Sequence, residues 1–173
     1  YWLDEVGVDG FRLDAVKHLI EEGDVTENTV ATHEWLEDFY LYYKNENPET
    51  YVVGEVFGAG GYIAQTYTDD ELDHVFNFEL ASGFVNSANG GSNTGINSAY
   101  HFTLEHMADG NYATFLTNHD QDRAMSVFYG NIGKAKVAAS MLLTAPGTPF
   151  IYYGEEIGML GQKPDEDIRL PMR

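Results

Sequence analysis

Hydrophobic residues recur along the chain with two different periods, which predicts short strands separated by helices. Five apolar or alternating runs have the length and composition of strands. They cover 8–14, 51–56, 73–79, 112–118 and 149–153. Helical spacing of apolar residues appears over 31–46, 98–108 and 133–144. The Gly-rich stretch 83–97 is predicted to be a long loop. This alternation predicts an α/β fold with a parallel sheet and right-handed crossovers.

The number of predicted strands limits the architecture that the chain can form. A closed eight-stranded α/β barrel takes about 250 residues, whereas this chain has 173. Five strands could therefore form only part of such a barrel. The first residues, 1–6, are typical of the end of a helix, so we interpret the chain as an internal piece of a longer protein.

Composition narrows the class of ligand. The net charge is −19, from 28 acidic and 9 basic residues. Such a surface disfavours nucleic acid and anionic membranes, which bind Lys and Arg, but it is compatible with a neutral ligand such as a sugar. Salt adaptation and an ordinary secreted surface explain the acidity equally well. The chain has no Cys, which excludes disulfides and thiolate chemistry, and no apolar run is long enough to span a membrane.

Three carboxylates, Asp14, Glu55 and Asp120, each come just after a short apolar run, at or near the end of a predicted strand. Carboxylates at the carboxyl ends of several strands form the active sites of α/β barrels. Two carboxylates on opposite sides of a glycosidic bond are the usual groups that hydrolyse it. This placement makes glycoside cleavage a candidate function.

Arg12 and Asp14 are two residues apart in a predicted strand, so they share a face. The guanidinium favours the ionised carboxylate that a nucleophile or charge stabiliser needs, although a structural ion pair is an equally good interpretation. The sequence neighbours of Glu55 are apolar and include no cation, which favours the protonated carboxyl of a general acid. Gly54 would let a ligand or another backbone approach closely. A cap or an ion pair at Glu55 is the alternative.

Asn118, His119 and Asp120 form a dense polar cluster after the fourth predicted strand. His119 and Asp120 together could hold two adjacent sugar hydroxyls by charge-assisted hydrogen bonds. The alternatives are a cap for the following helix and a metal site, for which one His beside one Asp is poor spacing.

Four segments together resemble the α-amylase family of glycoside hydrolases, family 13. Segments 10–18, 54–56 and 115–120 are similar to the second, third and fourth sequence regions of that family, in the same order. Segment 148–159 resembles its eighth strand and the loop that follows. The resemblance implies that residues 1–173 form the C-terminal part, about strand 4 to strand 8, of a catalytic (β/α)₈ TIM barrel. The first strands, the inserted domain and the C-terminal β-domain of the family would lie outside the chain.

The resemblance also implies a role for each polar residue of these segments. Asp14 would be the nucleophile, Glu55 the acid/base, and Asp120 the group that stabilises the distorted sugar and the transition state. Arg12 would orient Asp14, and His119 would bind sugar hydroxyls.

Lys17 and His18 follow the nucleophile in a pattern that resembles α-amylases proper. By that resemblance they contact sugars on the leaving-group side, and the His18 carbonyl can bind a structural calcium ion. Most calcium ligands would lie in the missing inserted domain, so any calcium site in the chain would be partial. A solvated helix start is the alternative interpretation of this pair.

The expected function is therefore a retaining hydrolase of α-1,4-glucosidic bonds in starch-like glucans or malto-oligosaccharides, with no nucleic-acid or membrane partner. The chain alone is expected to be inactive, and the resemblance implies an extracellular or cell-surface location. An α-glucosidase or transglycosylase on the same barrel is the first alternative. A non-catalytic barrel relative is the second, against which the retained acids argue. A metal-dependent hydrolase would need more clustered ligands.

Overall fold

The computed structural model describes residues 1–107 and 110–172. Helices and strands alternate through the chain, and all the strand pairs described below are parallel. The chain divides into two compact units, Tyr1–Phe76 and Asn77–Arg173. Among the described residues, no helix combines the length and apolar character needed to cross a bilayer.

The first unit contains three parallel strands in sequence order: β1 (Gly10–Leu13), β2 (Tyr51–Gly54) and β3 (His74–Phe76). Helix α1 (Val30–Glu46) connects β1 to β2, and the short helix α2 (Gly60–Gln65) lies between β2 and β3. Leu13 of β1 is paired with Gly54 of β2. The residues that follow each strand, Asp14 and Glu55, therefore lie at the same edge of the sheet.

Helix α1 confirms the prediction made from its apolar periodicity. Thr29 caps its N-terminus, because its side chain accepts a hydrogen bond from the Thr32 amide at 3.1 Å. Leu36 and Tyr43 are fully buried and form the face that packs on the unit. The helix ends at Glu46, and its C-cap Asn47 is extended, as expected because Pro48 disfavours a helical conformation in the residue before it. The start of the chain forms a single π-helical turn, Trp2–Val6.

The second unit contains two parallel strands and five helices among the described residues. The strands are β4 (Tyr112–Thr114) and β5 (Thr148–Pro149). The helices are α3 (Phe78–Gly90), α4 (Thr94–His106), α5 (Ala124–Val127), α6 (Ile132–Thr144) and α7 (Asp165–Ile168). Helix α6 confirms its prediction. Helix α4 covers most of the predicted helix 98–108, of which residue 108 lies outside the described part of the chain.

The prediction of a long loop over 83–97 is wrong, because α3 and the first turn of α4 occupy this stretch. Asn77 caps α3 by accepting a hydrogen bond from the Leu80 amide at 2.9 Å, and Leu80 and Phe84 are buried. A Cβ on Gly83 would lie 3.1 Å from Ala99 Cβ, so this glycine serves close packing between α3 and α4. Within 83–97, Gly91, with φ of 68°, caps the C-terminus of α3.

Candidate active site

The Arg12 side chain joins the ends of β1 and β2. Its Nη1 donates to Asp14 Oδ1, and its Nη2 donates to Glu55 Oε2 at 2.8 Å. The strand register produces this arrangement, since it pairs Leu13 with Gly54 and places the two acids side by side. Because the period of a strand is two residues, Arg12 and Asp14 share a face. One cation therefore holds two carboxylates from neighbouring strands.

The two carboxylates differ in their access to solvent. The Asp14 side chain is 76% exposed and the Glu55 side chain 13%. The backbone of Glu55 is held on both sides, because its amide donates to the Leu13 carbonyl at 3.0 Å and its carbonyl accepts from the Val16 amide at 3.1 Å. An accessible carboxylate beside a recessed and rigidly held one is an arrangement suited to a nucleophile and a proton donor.

Two details of the sequence interpretation of Glu55 are wrong. A cation does lie beside it, since Arg12 reaches it from the neighbouring strand. Gly54 serves packing rather than ligand approach, because a Cβ there would lie 2.4 Å from Leu72 Cδ1 and 3.3 Å from Val16 Cγ1. Both errors have the same cause: cross-strand neighbours depend on register, which the local sequence around Glu55 does not encode.

Lys17 and His18 lie in a 3₁₀ turn, Val16–His18, directly after Asp14 and Ala15. Both side chains contact the segment 26–28. Lys17 Nζ pairs with Glu27 Oε2 at 2.5 Å, and His18 Nδ1 lies 2.8 Å from the Thr26 carbonyl oxygen. The hydrogen bond and charge of Lys17 lower the pKa of Glu27. The loop after the turn therefore orients both residues that the resemblance places on the leaving-group side.

The residues present do not make a calcium site. In residues 1–107 and 110–172, no three His, Asp or Glu side chains form a group that could hold a metal ion. Calcium binds six to eight oxygens, whereas the acid beside His18 is Glu27, which Lys17 already neutralises. The His18 carbonyl would supply one of these oxygens, and the side chains around it do not supply the others. We therefore derive no chemical step through calcium.

In the second unit, Asp120 contacts residues just before it in the sequence and one residue far after it. Its amide donates to Asn118 Oδ1 at 3.0 Å, which forms the cap-like turn considered from the sequence. His119 Nε2 lies 3.2 Å from Asp120 Oδ2. Arg169 Nη2 donates to Asp120 Oδ1 at 2.6 Å, while its Nε donates to the His119 carbonyl at 2.8 Å. His119 and Asp120 thus form a structured pair with one guanidinium.

Sequence reasoning missed Arg169, which is 49 residues from Asp120. Its spacing from Asp165 is a weak local signal, because residues four apart on a helix can pair. Arg169 Nη2 does lie 2.7 Å from Asp165 Oδ2, but this pair by itself does not point to Asp120. Only the fold of the segment after β5 brings the guanidinium to that carboxylate.

A cavity of about 390 Å³ adjoins Asp120 within the second unit. Polar side chains contribute much of its lining, including Asn86 of α3, Gln121, Asp122 and Lys163. Gln121 Oε1 is buried and has no hydrogen-bond partner in the structure. A cavity with such walls is suited to a hydroxyl-rich ligand, since hydroxyls can satisfy both donors and acceptors.

Comparison with known proteins places this geometry in a family. The model of the α-amylase catalytic domain matches residues 1–170. Alpha-amylase 3 of Dictyoglomus thermophilum is 44% identical over 177 aligned positions, which cover the whole chain and 34% of that relative. Alpha-amylase SusG of Bacteroides thetaiotaomicron is 38% identical over 172 positions, which cover 96% of the chain and 25% of that relative.

Solved structures agree with the sequence comparison. The crystal structure of the α-amylase from H. orenii superposes with a TM-score of 0.86 at 40% identity, covering all of this chain and 35% of that one. Eubacterium rectale Amy13B gives 0.80 at 36% identity, covering 99% of this chain and 34% of its own. The chain thus spans about a third of the length of these relatives, which are (β/α)₈ barrels. By sequence and fold, it belongs to the α-amylase catalytic-domain family.

Proposed function

We propose that the protein is a retaining glycoside hydrolase that cleaves α-1,4-glucosidic bonds in starch-like glucans and malto-oligosaccharides. The cluster of Arg12, Asp14 and Glu55 carries this proposal. Two carboxylates that contact one guanidinium favour the retaining arrangement, with carboxyls about 5–5.5 Å apart, over the inverting one at about 6.5–9.5 Å. Because the chain spans a third of its relatives, the activity is proposed for the full-length protein.

The proposed reaction has two displacements at the anomeric carbon. Asp14, the more exposed acid, attacks that carbon while Glu55 donates its proton to the glycosidic oxygen, so the leaving glucan departs with a new hydroxyl. Glu55 then removes a proton from water, which attacks the same carbon and releases Asp14 as a carboxylate. Retention follows because each displacement inverts the configuration once.

Arg12 has two tasks in this scheme. Its Nη1 donates to Asp14 Oδ1 and orients that carboxylate for attack, and its second nitrogen fixes the direction of the Glu55 carboxyl. Fixing the reacting groups before substrate arrives removes an orientational cost from the barrier.

By membership of the family, Asp120 stabilises the distorted sugar and its positive charge in the transition state. His119 binds hydroxyls of the same sugar. The contacts of Arg169 with both residues support these roles, because they fix the carboxylate and the adjacent backbone in one conformation.

Lys17 and His18 are proposed to contact the sugar on the leaving-group side. Glu27 and Thr26 hold them in place, which favours a defined subsite over a freely solvated helix start. An extracellular or cell-surface location is proposed as well, because a polymeric glucan is encountered outside the cell.

A second candidate function is an α-glucosidase or transglycosylase on the same barrel. Relatives named cyclomaltodextrinase and neopullulanase match the chain at lower identity, 30% and 29%. Three relatives named α-amylase match at 44%, 38% and 27%, and the two higher values favour amylase action.

The deciding experiment replaces Glu55 by Gln in the full-length protein, because an amide fills the same volume but cannot donate a proton. Turnover of malto-oligosaccharides should fall by about 10²- to 10⁴-fold. Turnover of α-glucosyl fluoride should fall less, since fluoride leaves with little protonation. Glu49→Gln, an exposed acid before β2, is the control and should behave like wild type. Near-normal turnover of Glu55→Gln on malto-oligosaccharides would remove Glu55 from the mechanism.

A further inference from the structure

We propose that Glu155 is a positioning residue for Asp120 and acts through the hydroxyl of Thr117. This inference rests on the proposed function, in which Asp120 stabilises the transition state. Glu155 lies in the turn after β5 and is not one of the residues that carry the proposed reaction. Its side chain is directed toward the residues that follow β4, on which Asp120 is carried.

The Glu155 carboxylate receives a hydrogen bond at each oxygen. The Thr117 hydroxyl donates to Oε1 at 2.8 Å, and the Tyr152 amide lies 3.3 Å from Oε2. Thr117 is buried, and its oxygen also accepts a hydrogen bond from the Ala124 amide at 3.3 Å. With its proton directed to Glu155 and a lone pair directed to Ala124, the hydroxyl is fixed in one orientation.

Thr117 and Ala124 are the two ends of a loop, residues 117–124, that contains Asp120. The Thr117 hydroxyl therefore closes this loop across its base, and Glu155 determines which way that hydroxyl points. A loop whose ends are tied has fewer accessible conformations than an open one. Asp120, in the middle of the loop, should gain a defined position from this tie.

Arg123 links the same two segments a second time. Its Nη1 donates to the Tyr153 carbonyl at 2.7 Å, and its amide donates to the Gly161 carbonyl at 2.9 Å. The guanidinium carbon lies 4.6 Å from the ring centres of both Tyr152 and Tyr153, within the range of cation–π attraction. The turn containing Glu155 is thus itself held against the loop that it orients.

The ionisation of Glu155 supports the same role. Burial raises its pKa to about 7, while the hydrogen bonds from Thr117 and Tyr152 and the charge of Arg123 oppose that rise. The ionised carboxylate accepts well from both the Thr117 hydroxyl and the Tyr152 amide. A protonated carboxyl loses acceptor capacity at the oxygen that carries the proton. We therefore expect the tie to Thr117 to be strongest above this pKa and to weaken as the pH falls through it.

The experiment uses five variants of the full-length protein, four single ones and the double variant of Glu155→Gln with Thr117→Val. Glu155→Gln keeps the volume but replaces one acceptor oxygen by a donor, and Thr117→Val keeps the shape but removes the hydroxyl. Two controls match them: Thr117→Ser retains the hydroxyl, and Glu156→Gln changes the adjacent acid, which is exposed. The measurements are kcat and KM on malto-oligosaccharides between pH 5 and 9, together with the melting temperature.

Glu155→Gln and Thr117→Val should each lower kcat by about 10- to 100-fold, because small displacements of a catalytic group have effects of this size. KM should change less than twofold, and the double variant should be no slower than the single ones, since both changes break one link. Thr117→Ser and Glu156→Gln should resemble wild type. The fall of wild-type kcat below about pH 7 should be absent in Glu155→Gln.

Any of the following would overturn the inference alone: unchanged kcat in both variants, a lower melting temperature without loss of kcat, or multiplying losses in the double variant. A rise in KM at constant kcat would also overturn it, because it would indicate a direct glucan contact. Inactivity of the wild-type protein on every α-glucan would instead overturn the proposed function and this inference together.

Discussion

Arg12 Nη2 lies 2.8 Å from Glu55 Oε2, although the two residues are 43 positions apart. The same guanidinium also donates to Asp14, so it links the proposed nucleophile to the proposed acid/base. A planar guanidinium can serve two carboxylates at once, whereas an ammonium presents a single compact charge. This relationship makes Arg12 the residue on which both carboxylates depend for their orientation.

Arg12→Met in the full-length protein should therefore lower kcat on malto-oligosaccharides by roughly 10- to 150-fold, the value of one hydrogen bond between charged groups. About one third of the Arg12 side chain is exposed to solvent, so the fall in kcat should be toward the lower end of this range. Arg12→Lys should be intermediate, because lysine keeps the charge but not the two-pronged contact. Equal activity of the Lys variant and wild type would show that charge alone matters; melting temperatures separate this effect from unfolding.

Replacing Lys17 and His18 together by Ala should alter specificity. Cleavage of long α-1,4-glucans should fall more than cleavage of a glucoside with a small synthetic leaving group, because only the long substrate reaches these residues. Each lost contact of a charged group lowers the rate by roughly 10- to 150-fold, less where the side chain is exposed. Kinetics on both substrates measure this, with Lys136→Ala on α6 as the control for lost positive charge. An equal loss on both substrates would contradict a leaving-group subsite.

Arg169→Met should reduce kcat by about tenfold, because Asp120 loses a charged hydrogen bond at 2.6 Å on an exposed surface. Lys136→Met is the control, since it removes one positive charge from an exposed residue of the second unit, on α6. Steady-state kinetics of the two variants distinguish the loss of the contact with Asp120 from a general loss of positive charge. Similar losses in both would mean that the loss of positive charge from the second unit, rather than of the contact with Asp120, is responsible.

Glu71, a buried acid that is not among the residues of the proposed reaction, should make stability depend on pH. Burial raises the pKa of Glu71 to about 7 from 4.5, although a hydrogen bond from His33, at 2.7 Å, opposes the rise. The pKa of Glu71 is therefore higher in the folded state than in the unfolded state. The contribution of the protonated carboxyl to the stability of the fold is complete below about pH 4.5 and is lost as the pH rises through about 7.

The variant Glu71→Gln lacks this titration, so its melting temperature relative to wild type should rise between pH 4.5 and 7 and level off above that range. Thermal unfolding of both proteins across the range measures the difference. Asp38→Asn, which changes an exposed acid on α1, should show no comparable trend. A difference that stays constant with pH would contradict the raised pKa.

Local pattern was sufficient to predict the framework and the position of the acids. Periods of 2 and 3.6 follow from backbone geometry, so α1, α6 and the order of the strands could be predicted without tertiary information. The later strands are shorter than predicted: β4 ends at Thr114 and β5 at Pro149. Asp14 and Glu55 follow directly after their strands, and carboxyl ends of neighbouring parallel strands meet at one edge. Arg12 and Asp14 share a face for the same local reason.

The helix α3 shows where local pattern failed. Gly83, Gly90 and Gly91 suggested a loop, because glycine weakens helices in isolation. In the structure, Gly83 faces Ala99 on α4, and burial of Leu80 and Phe84 stabilises α3. Helices in proteins gain most of their stability from tertiary packing, which the spacing of residues within one segment does not reveal.

The sequence by itself determined the element order, the family resemblance and the three acids at strand ends, because each depends on residues that are close in the chain. Only the tertiary structure decided which cations serve those acids and which side chains orient them. Arg169 is 49 residues from Asp120, and Glu155 is 38 from Thr117. Such pairs form when strand register and helix packing bring distant segments within about 3 Å, a distance that no local periodicity specifies.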